Sequence, residues 1–309
     1  MIFNLELASN DQYHCVTDPE GFVDEDPGWW YGDAGWRTRY DDWDAFAGND
    51  WLAICYQQWN DGAAAPGSHR AGIFLHQQWV GMALYVDGFA GNLQGLREHL
   101  SYLQELGVNM LHVMPILQCP PGASDGGYAV SDYRDVDPEV GNVEDVVDLA
   151  AQLHSREMLL ILDVVVNHVS DQHEWAQRAR QGDPTYQDYF YVFANREIPD
   201  MFEETMPEIF PETAPGNFTW DDTLGRWVMT VFNHYQWDLN YGNPAVFIEM
   251  LDVLLYWANR GADILRLDAV AFLWKKIGTT CQNEYEAHLI LQLLKDCCQV
   301  VAPGVLFIA

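Results

Sequence analysis

The chain has 309 residues, of which 49% are hydrophobic and 14% aromatic, and Asp and Glu number 46 against 15 Lys and Arg. This composition is typical of a globular chain that buries a large core, and it excludes a disordered or fibrous protein. A formal net charge of -31 repels polyanions, so we expect neither nucleic acid nor an anionic membrane as a partner.

Cysteine usage and the N-terminal residues favour a cytoplasmic protein with reduced thiols. The six cysteines show neither a CxxC pair nor the spacing of a metal site. The first residues, MIFNLELASND, lack the basic start and long apolar core of a signal peptide, and no apolar run is long enough to span a bilayer. We therefore predict a cytoplasmic location.

Residues 1–75 are rich in Trp, Asp and Gly without clean periodicity, and we predict a separate segment of unclear fold. Its tryptophans could stack on sugar rings or could form a small aromatic core, and both interpretations stay open. The six are Trp29, Trp30, Trp36, Trp43, Trp51 and Trp59. The stretch AAAPGS at 63–68 has the composition of a linker.

From residue 76 onward, apolar strands alternate with amphipathic helices. The predicted strands cover residues 81–86, 110–116, 159–166, 264–267 and 305–309. The predicted helices run over 92–106, 142–153, 243–258 and 284–300. Such alternation indicates a parallel sheet with helical cover, which either wraps into a barrel or stays open.

The stretch from 170 to 242 interrupts this alternation. It holds many aromatic residues and five prolines, at 184, 199, 207, 211 and 215. So long an excursion after the third strand is more typical of a functional insert than of a plain connection. We therefore predict that residues 76–309 form one unit of strands and helices, a partial (β/α) barrel or an open sheet, with residues 170–242 inserted into it.

Polar clusters follow three of the predicted strands at their C-terminal ends, where barrel enzymes build their sites. Taken singly, each member has a structural explanation. Asp125 beside two glycines is usual in a turn, Tyr128 can be a packing aromatic, and His168 can be a hydrogen-bonded structural histidine. Asp163 is predicted to be a structural carboxylate inside the barrel. Three such clusters at one end of the sheet favour a site.

Arg266 and Asp268 lie two residues apart on a predicted strand, so their side chains should point to the same face. Arginine does not lose its proton, and it would keep Asp268 ionised and ready to attack a substrate. A structural ion pair is the alternative, because such pairs also perturb the groups that form them.

These motifs resemble the α-amylase clan of retaining glycoside hydrolases and transglycosylases. DVVVNH (163–168) is similar to the clan's first signature region, and GADILRLDAV (261–270) is similar to its second. Within the clan, longer stretches resemble amylosucrases and together cover residues 80–309 nearly continuously. They are YVDGFAGNLQGL (85–96), LQELGVNMLHVMPI (103–116), SDGGYAVSDYRDVDP (124–138), NHVSDQHEWAQRARQGDP (167–184), FNHYQWDLNYGNP (232–244) and ILRLDAVAFLWKKIGTTCQN (264–283).

The resemblance implies a role for each candidate site residue. Asp268 would be the nucleophile that forms a β-glucosyl-enzyme, with Arg266 beside it. The glucosyl ring would contact four further residues: His168 at its 6-hydroxyl, Tyr128 stacked on its face, Phe232 on the pocket wall and Asp125 at the pocket floor. Asp125 would pair there with an arginine from later in the family's chain.

The implied fold is a (β/α)8 TIM barrel of which strands one to five are present, with an inserted B domain after the third. The implied acid/base is a glutamate directly after the fifth strand, one residue beyond Ala309. We therefore expect a truncated chain that is inactive as it stands, because the leaving group lacks a proton donor.

The implied function is that of an amylosucrase, a hexosyltransferase that moves glucosyl from sucrose to α-1,4-glucan and releases fructose. Sucrose and α-glucan are then the partners. A sucrose hydrolase or α-glucosidase on the same scaffold is an alternative, and so is a non-catalytic carbohydrate-binding remnant. No cofactor is implied. Asn167 matches a position that holds calcium in many α-amylases, but amylosucrases do not depend on calcium, so we predict no metal.

Overall fold

A computed structural model describes residues 79–309, together with the backbone of residues 2–4, 30–32 and 35–37. The predictions about the linker and the tryptophan side chains of residues 1–75 lie outside the described residues. The described strands are β1 (Ile2–Asn4), β2 (Trp30–Gly32), β3 (Gly35–Arg37), β4 (Val80–Leu84), β5 (Met110–Val113), β6 (Leu117–Gln118), β7 (Asp132–Val136), β8 (Leu159–Val165), β9 (His168–Ser170), β10 (Val192–Phe193), β11 (Phe218–Asp221), β12 (Arg226–Met229), β13 (Gln236–Asp238), β14 (Ile264–Asp268) and β15 (Leu306–Ile308).

The described α-helices cover the outer side of the central sheet and part of the inserted segment. They are α1 (Val86–Ala90), α2 (Leu93–Glu98), α3 (Leu100–Glu105), α4 (Val143–His154), α5 (Glu174–Arg180), α6 (Pro184–Gln187), α7 (Glu197–Glu203), α8 (Pro244–Ala258) and α9 (Tyr285–Val301). Two 3-10 turns, Asp125–Gly127 and Val270–Phe272, follow β6 and β14.

The central sheet has the strand order β1-β4-β5-β8-β14-β15. The strands from β4 to β15 pair in parallel, and β1 adds an antiparallel strand beside β4. The five predicted strands are therefore all present, and consecutive strands lie side by side with helices between them. This is the order of neighbouring strands in a (β/α)8 barrel, and it brings all five C-terminal ends to one edge.

The two faces of this sheet differ because side chains alternate along each strand. On the outer face, buried residues such as Leu160, Leu162 and Leu265 pack against the helices. On the inner face, a small apolar layer that includes Met110 and Ile161 fills the N-terminal half. Polar side chains occupy the C-terminal half of the inner face, where the candidate site lies.

Two helices begin where the sequence predicts them. Asn142 caps α4 through a capping box with Asp145, and Asn243 caps α8 by accepting a hydrogen bond from the Ala245 N–H. The predicted helix over 92–106 is wrong in its continuity, since α2 and α3 are separate helices that meet at His99. The ring Nδ1 of His99 lies 2.8 Å from the Gly95 carbonyl oxygen, which is the acceptor that a continuous helix would use.

The stretch between β9 and α8 contains three short helices and an antiparallel sheet of order β10-β12-β11. Its last strand, β13, pairs with β9 immediately after the third parallel strand. The insert is thereby attached to the C-terminal edge of the central sheet. Arg180 supports this part by contacting Asp171 and Asp221, with its guanidinium 4.8 Å from the Trp237 ring centroid.

In the described part, Cys119, Cys281, Cys297 and Cys298 form no disulfide, and all four are buried. Burial raises the pKa of the Cys119 thiol to about 12. Among the residues that the structure describes, none belongs to a helix long and apolar enough to cross a membrane.

We expect His173→Asn to remove part of the protein's acid sensitivity. His173 caps α5 by accepting a hydrogen bond from the Trp175 N–H, and burial is the main cause that lowers its pKa to about 3. The unfolded chain takes up this proton near pH 6.5 and the folded chain does not. The free energy of unfolding therefore falls from pH 6.5 towards pH 3, by up to about 1.4 kcal/mol per pH unit.

Asparagine accepts the same capping bond and does not titrate. Urea unfolding at pH 7 and pH 5 measures the effect: the two proteins should differ little at pH 7, and the variant should lose less stability at pH 5. An equal loss in both proteins would contradict the assignment.

Candidate active site

Arg266 and Asp268 lie on the inner face of β14, at the C-terminal edge of the sheet. Arg266 Nη1 is 2.6 Å from Asp268 Oδ1 and 2.8 Å from Asp163 Oδ1 on the neighbouring strand. The strand register places Arg266 directly beside Asp163. The predicted guanidinium–carboxylate contact is therefore present, and a second carboxylate shares it.

Asp163, on the neighbouring strand β8, holds Arg266 in place. Its side chain is fully buried, and its other oxygen, Oδ2, is 2.7 Å from His112 Nε2 on β5. The Asp163 carboxylate thus has a partner on each neighbouring strand, which is how a buried charge is compensated. This agrees with the prediction that Asp163 is structural, while the side chain of Asp268 keeps 18% of its surface exposed.

The chain turns sharply immediately after Asp268. Ala269 has a left-handed backbone with φ of 55°, a conformation that costs a residue with a Cβ roughly 1–2 kcal/mol. The 3-10 turn Val270–Phe272 follows. Strained backbone of this kind is often found at functional sites, where surrounding structure holds it.

The loop from Ser124 to Tyr128 brings a second set of polar groups to the same edge. Asp125, Gly126 and Gly127 all have positive φ, at 51°, 68° and 99°. Gly127 passes so close to Pro115 that an added Cβ would lie 2.7 Å from the proline Cβ. The two glycines therefore permit a fold of the loop that places Asp125 and Tyr128 beside the sheet.

We expect Gly127→Ala to destabilise the protein and displace this loop. The methyl group would clash with Pro115 in addition to the backbone strain, for a combined cost of roughly 2–4 kcal/mol. Gly122→Ala is the matched control, because Gly122 also has positive φ (75°) but an added Cβ would meet nothing within 4 Å. Thermal unfolding of both variants checks the prediction; equal losses would show that Pro115 plays no part.

Asp125, Tyr128 and His168 converge through the buried amide of Gln236. Gln236 Nε2 is 3.0 Å from Asp125 Oδ2, 3.4 Å from the Tyr128 carbonyl oxygen and 3.1 Å from His168 Nε2. His168 Nε2 lies 3.2 Å from the same Tyr128 oxygen. The Tyr128 ring approaches Arg266, whose Cζ is 5.9 Å from the ring centroid. We call Asp125, Tyr128, His168, Gln236 and Asp268 the candidate pocket.

Electrostatics keep the ring groups of the candidate pocket uncharged at neutral pH. Burial lowers the pKa of His168 below its ordinary value, against the opposing effect of Asp238 and Asp268. Burial, assisted by Asp163, raises the pKa of the Tyr128 phenol well above its ordinary value. The pocket therefore offers a neutral imidazole and a neutral phenol beside the carboxylates.

Phe232 forms an apolar wall beside His168. The two ring centroids are 4.9 Å apart, and the Phe232 ring also contacts Phe272 at 5.0 Å and Phe210 at 6.2 Å. The structure thus places the Phe232 ring against His168, and its role on the pocket wall stays a prediction. Aromatic rings that flank hydroxyl-binding groups suit the mixed polar and apolar surface of a sugar.

A buried ion pair lies behind His168. The Lys275 ammonium contacts Asp238, and the side chains of both residues are completely buried. Lys275 Nζ is also 3.1 Å from Asn167 Oδ1, and Asn167 Nδ2 lies 3.0 Å from Asp238 Oδ2 and 3.2 Å from His168 Nδ1. Three segments meet here: the end of β8, strand β13 of the insert and the loop after β14.

We expect calcium chelation to leave the melting temperature unchanged. Asn167 already accepts a hydrogen bond from the Lys275 ammonium, so a cationic group is in place where the resemblance would put calcium. Among the described residues, no three His, Cys, Asp or Glu side chains form a group that could hold a metal ion. Thermal unfolding with a chelator and with millimolar calcium measures this directly; a calcium-dependent rise would overturn the prediction.

Sequence reasoning missed several residues of this region. Gln236 lies in the motif FNHYQWDLNYGNP (232–244), but no local sequence pattern predicts its contact with Asp125, which is 111 residues away. Tyr85 follows β4, and its hydroxyl oxygen is 3.4 Å from the position of an added Cβ on Gly126. Burial, Asp163 and Asp125 raise the pKa of Tyr85, which places it beside the same carboxylates. No sequence pattern pointed to His112 or Lys275 as part of the site. His112 lies within an otherwise apolar strand, and Lys275 lies in the loop after β14.

In the described part of the chain, the Asp125 carboxylate accepts a hydrogen bond from Gln236 and not from the arginine that the resemblance implies. The predicted pocket-floor position of Asp125 stays a prediction.

The chain has extensive similarity to proteins of known activity. The sequence profile described as the catalytic domain of alpha amylase matches residues 19–294. A trehalose synthase of Pimelobacter sp. is 40% identical over 209 residues, which are 67% of this chain and 35% of that protein. A glucosylglycerate phosphorylase of Spirochaeta thermophila is 38% identical over 215 residues, which are 69% of this chain and 33% of that protein.

Solved structures show the same fold. Trehalulose synthase MutB from Pseudomonas mesoacidophila MX-45 superposes with a TM-score of 0.63 at 29% identity, over 70% of this chain and 42% of that chain. A MutB mutant in complex with the substrate sucrose has a TM-score of 0.65 at 28% identity. The chain spans about a third of the length of the curated relatives that it matches.

Proposed function

This chain belongs to the alpha-amylase catalytic-domain family, and we propose that its full-length protein transfers a terminal α-glucosyl unit from sucrose by a retaining mechanism. The observation that carries the proposal is the partly exposed Asp268 carboxylate, held by Arg266 at the C-terminal edge of the sheet beside the candidate pocket. A retaining enzyme needs one ionised carboxylate as nucleophile at such a place. Asp268 would attack the anomeric carbon of the glucosyl unit.

The strand register supports a position for the acid/base. Ile308 on β15 lies beside Arg266 on β14 and points to the inner face, so the second residue after Ile308 would point inward at the level of Asp268. Neighbouring strands are about 4.8 Å apart, which suits the separation of about 5–5.5 Å between the two carboxyl groups of retaining enzymes. We infer that the inner face at the C-terminal end of β15 is where a proton donor to the leaving group would lie.

The candidate pocket would hold the glucosyl ring. Asp125 offers an acceptor for hydroxyl groups and is held by Gln236, Tyr128 offers an aromatic face, and the His168 ring offers a polar edge. A pocket closed at one end would favour a terminal glucosyl unit over the interior of a long glucan. Arg266 would hold the Asp268 carboxylate in position as the anomeric carbon develops positive charge.

We choose glucan synthesis, the activity of amylosucrases, because motifs across residues 80–309 resemble that family. The 40% identity to a trehalose synthase favours a second candidate, in which the glucosyl unit returns to the same sugar and yields an isomer. Both share the glucosyl-enzyme at Asp268 and differ in the acceptor. Hydrolysis differs again by using water.

Product analysis of the full-length protein separates these outcomes. Sucrose that yields fructose and an iodine-staining polymer supports glucan synthesis, whereas fructose with free glucose indicates hydrolysis. A disaccharide isomer formed from sucrose, or trehalose formed from maltose, indicates internal transfer. Binding of sucrose without any of these products would support a non-catalytic carbohydrate-binding protein and would overturn the proposal.

A further inference from the structure

A series of hydrogen bonds connects a buried lysine to the ring of His168, on the side away from the candidate pocket. Lys275 Nζ lies 2.5 Å from Asp238 Oδ2, 3.1 Å from Asn167 Oδ1 and 2.5 Å from the Phe272 carbonyl oxygen. An ammonium has three donors, and these three acceptors use all of them. Since the Lys275 and Asp238 side chains are fully buried, water does not compete for these bonds.

The lysine determines which way the Asn167 amide points. Because Asn167 Oδ1 accepts from the ammonium, its NH2 group must face the other way, where it donates to Asp238 Oδ2 at 3.0 Å and to His168 Nδ1 at 3.2 Å. His168 Nδ1 is then an acceptor. A neutral imidazole with an acceptor at one nitrogen carries its proton on the other, so the proton belongs on Nε2.

The surroundings of His168 Nε2 agree with this assignment. Nε2 faces the Tyr128 carbonyl oxygen at 3.2 Å, an acceptor with room for two donors. The neighbouring Gln236 amide is oriented independently, since its Oε1 accepts from Asn233 and its Nε2 donates to Asp125. Both Nε2 groups can therefore donate towards Tyr128, and neither needs the other as an acceptor.

We propose that Lys275 and Asp238 are a positioning pair, which holds His168 as the neutral Nε2–H tautomer, so that the Nε2 proton is available to a sugar hydroxyl in a three-centre hydrogen bond that it shares with the Tyr128 carbonyl oxygen. The pair acts through Asn167 and touches no substrate. The inference rests on the proposed function for the identity of the ligand, which is the 6-hydroxyl oxygen of a glucosyl unit. A site that hydrogen-bonds a hydroxyl discriminates against an analogue that lacks it.

The competing explanation is a purely structural one, in which the ion pair only fastens the insert to the central sheet. Asp238 lies on β13 and Lys275 follows β14, so breaking their contact would loosen that junction under either explanation. A test therefore needs readouts that loosening alone does not change. The tautomer of His168 and the recognition of one hydroxyl group are two such readouts.

The first experiment measures the tautomer by nitrogen-15 NMR of histidine side chains in the full-length protein, with His168→Gln used to assign the signal. The test variant is the double substitution Lys275→Met with Asp238→Asn, because removing both charges together avoids an unpaired buried charge. We expect Nε2–H in the parent and a population with Nδ1–H in the double variant, where Asn167 is free to turn. An Nδ1–H parent, or the same tautomer in both, would overturn the proposal.

The second experiment compares kcat/KM for α-glucosyl fluoride and its 6-deoxy analogue. The preference for the 6-hydroxyl should fall about tenfold in the double variant, the value of one lost hydrogen bond. Asp263→Asn is the control: it removes the buried carboxylate that contacts His154 at the opposite end of β14, and the preference should not change. Equal preferences in parent and double variant would overturn the proposal.

The two proposals fail in distinguishable ways. If the tautomer responds as expected but the parent protein accepts no glucosyl fluoride, the proposed function is wrong and the positioning pair stands. If glucosyl fluoride is consumed but the His168 tautomer is the same in the parent and the double variant, the inference of a positioning pair is wrong and the proposed function stands.

Discussion

We expect Asp268→Asn to abolish capture of the glucosyl unit while the protein stays folded. An amide is a poor nucleophile, so kcat/KM with α-glucosyl fluoride should fall by roughly 10⁴–10⁶-fold, the scale seen when the nucleophile of an enzyme is deleted. Fluoride leaves without protonation, so this donor reports on the nucleophile independently of the acid/base. Mass spectrometry of the parent protein, quenched during turnover, should find the glucosyl adduct on Asp268.

The control is Asp263→Asn, the same substitution at the other end of β14. Asp263 is buried, contacts His154 and accepts from the Leu160 N–H, so the control should lose stability and keep the adduct on Asp268. Retention of parental activity by Asp268→Asn, or an adduct on another residue, would show that the nucleophile lies elsewhere.

Arg266→Gln should lower both stability and activity, because one guanidinium serves two carboxylates. Without it, the fully buried Asp163 carboxylate loses its guanidinium partner and keeps the hydrogen bond with His112, and leaving a buried charge short of a partner costs about 3–5 kcal/mol. Asp268 also loses the guanidinium that holds its carboxylate in place, so activity should fall together with the free energy of unfolding.

Arg134→Gln is the matched control for the stability measurement. Arg134 contacts Asp252 and Glu249, but its side chain is 40% exposed, and a solvent-screened pair of this kind contributes at most about 1 kcal/mol. Urea unfolding at pH 7 compares the two variants. Similar losses of unfolding free energy in both variants would show that the burial of Asp163 does not make the Arg266 contact more stabilising than an exposed one.

Arg266→Lys should restore part of the stability and less of the activity, since lysine has no planar fork.

The sequence by itself determined the class of the fold, its five parallel strands and the family. Strands β5, β8 and β14 are mainly apolar, and the caps at Asn142 and Asn243 are set by local backbone chemistry. The α-amylase-type barrel implied by the resemblance is confirmed by the family match and by the solved relatives. The narrower resemblance to amylosucrases stays a proposal, because the named relatives are trehalose synthases and phosphorylases.

Local patterns also brought Arg266 and Asp268 together, since residues two apart on a strand share a face whatever the rest of the chain does. They could not show that His99 would interrupt a helix, because its ring competes for a carbonyl oxygen only once the turn has formed. Nor could they show that Asp163 would share the guanidinium, which follows from the register between β8 and β14.

Only the tertiary structure showed which distant residues contact Asp125 and Asn167. Gln236 meets Asp125 from 111 residues away, and Lys275 meets Asn167 from 108 residues away. Periodicity describes which face a residue occupies within its own element, but it contains no information on which elements become neighbours. Those contacts arise only when the C-terminal ends of parallel strands and the insert meet at one edge, where buried polar groups must find partners because water is excluded.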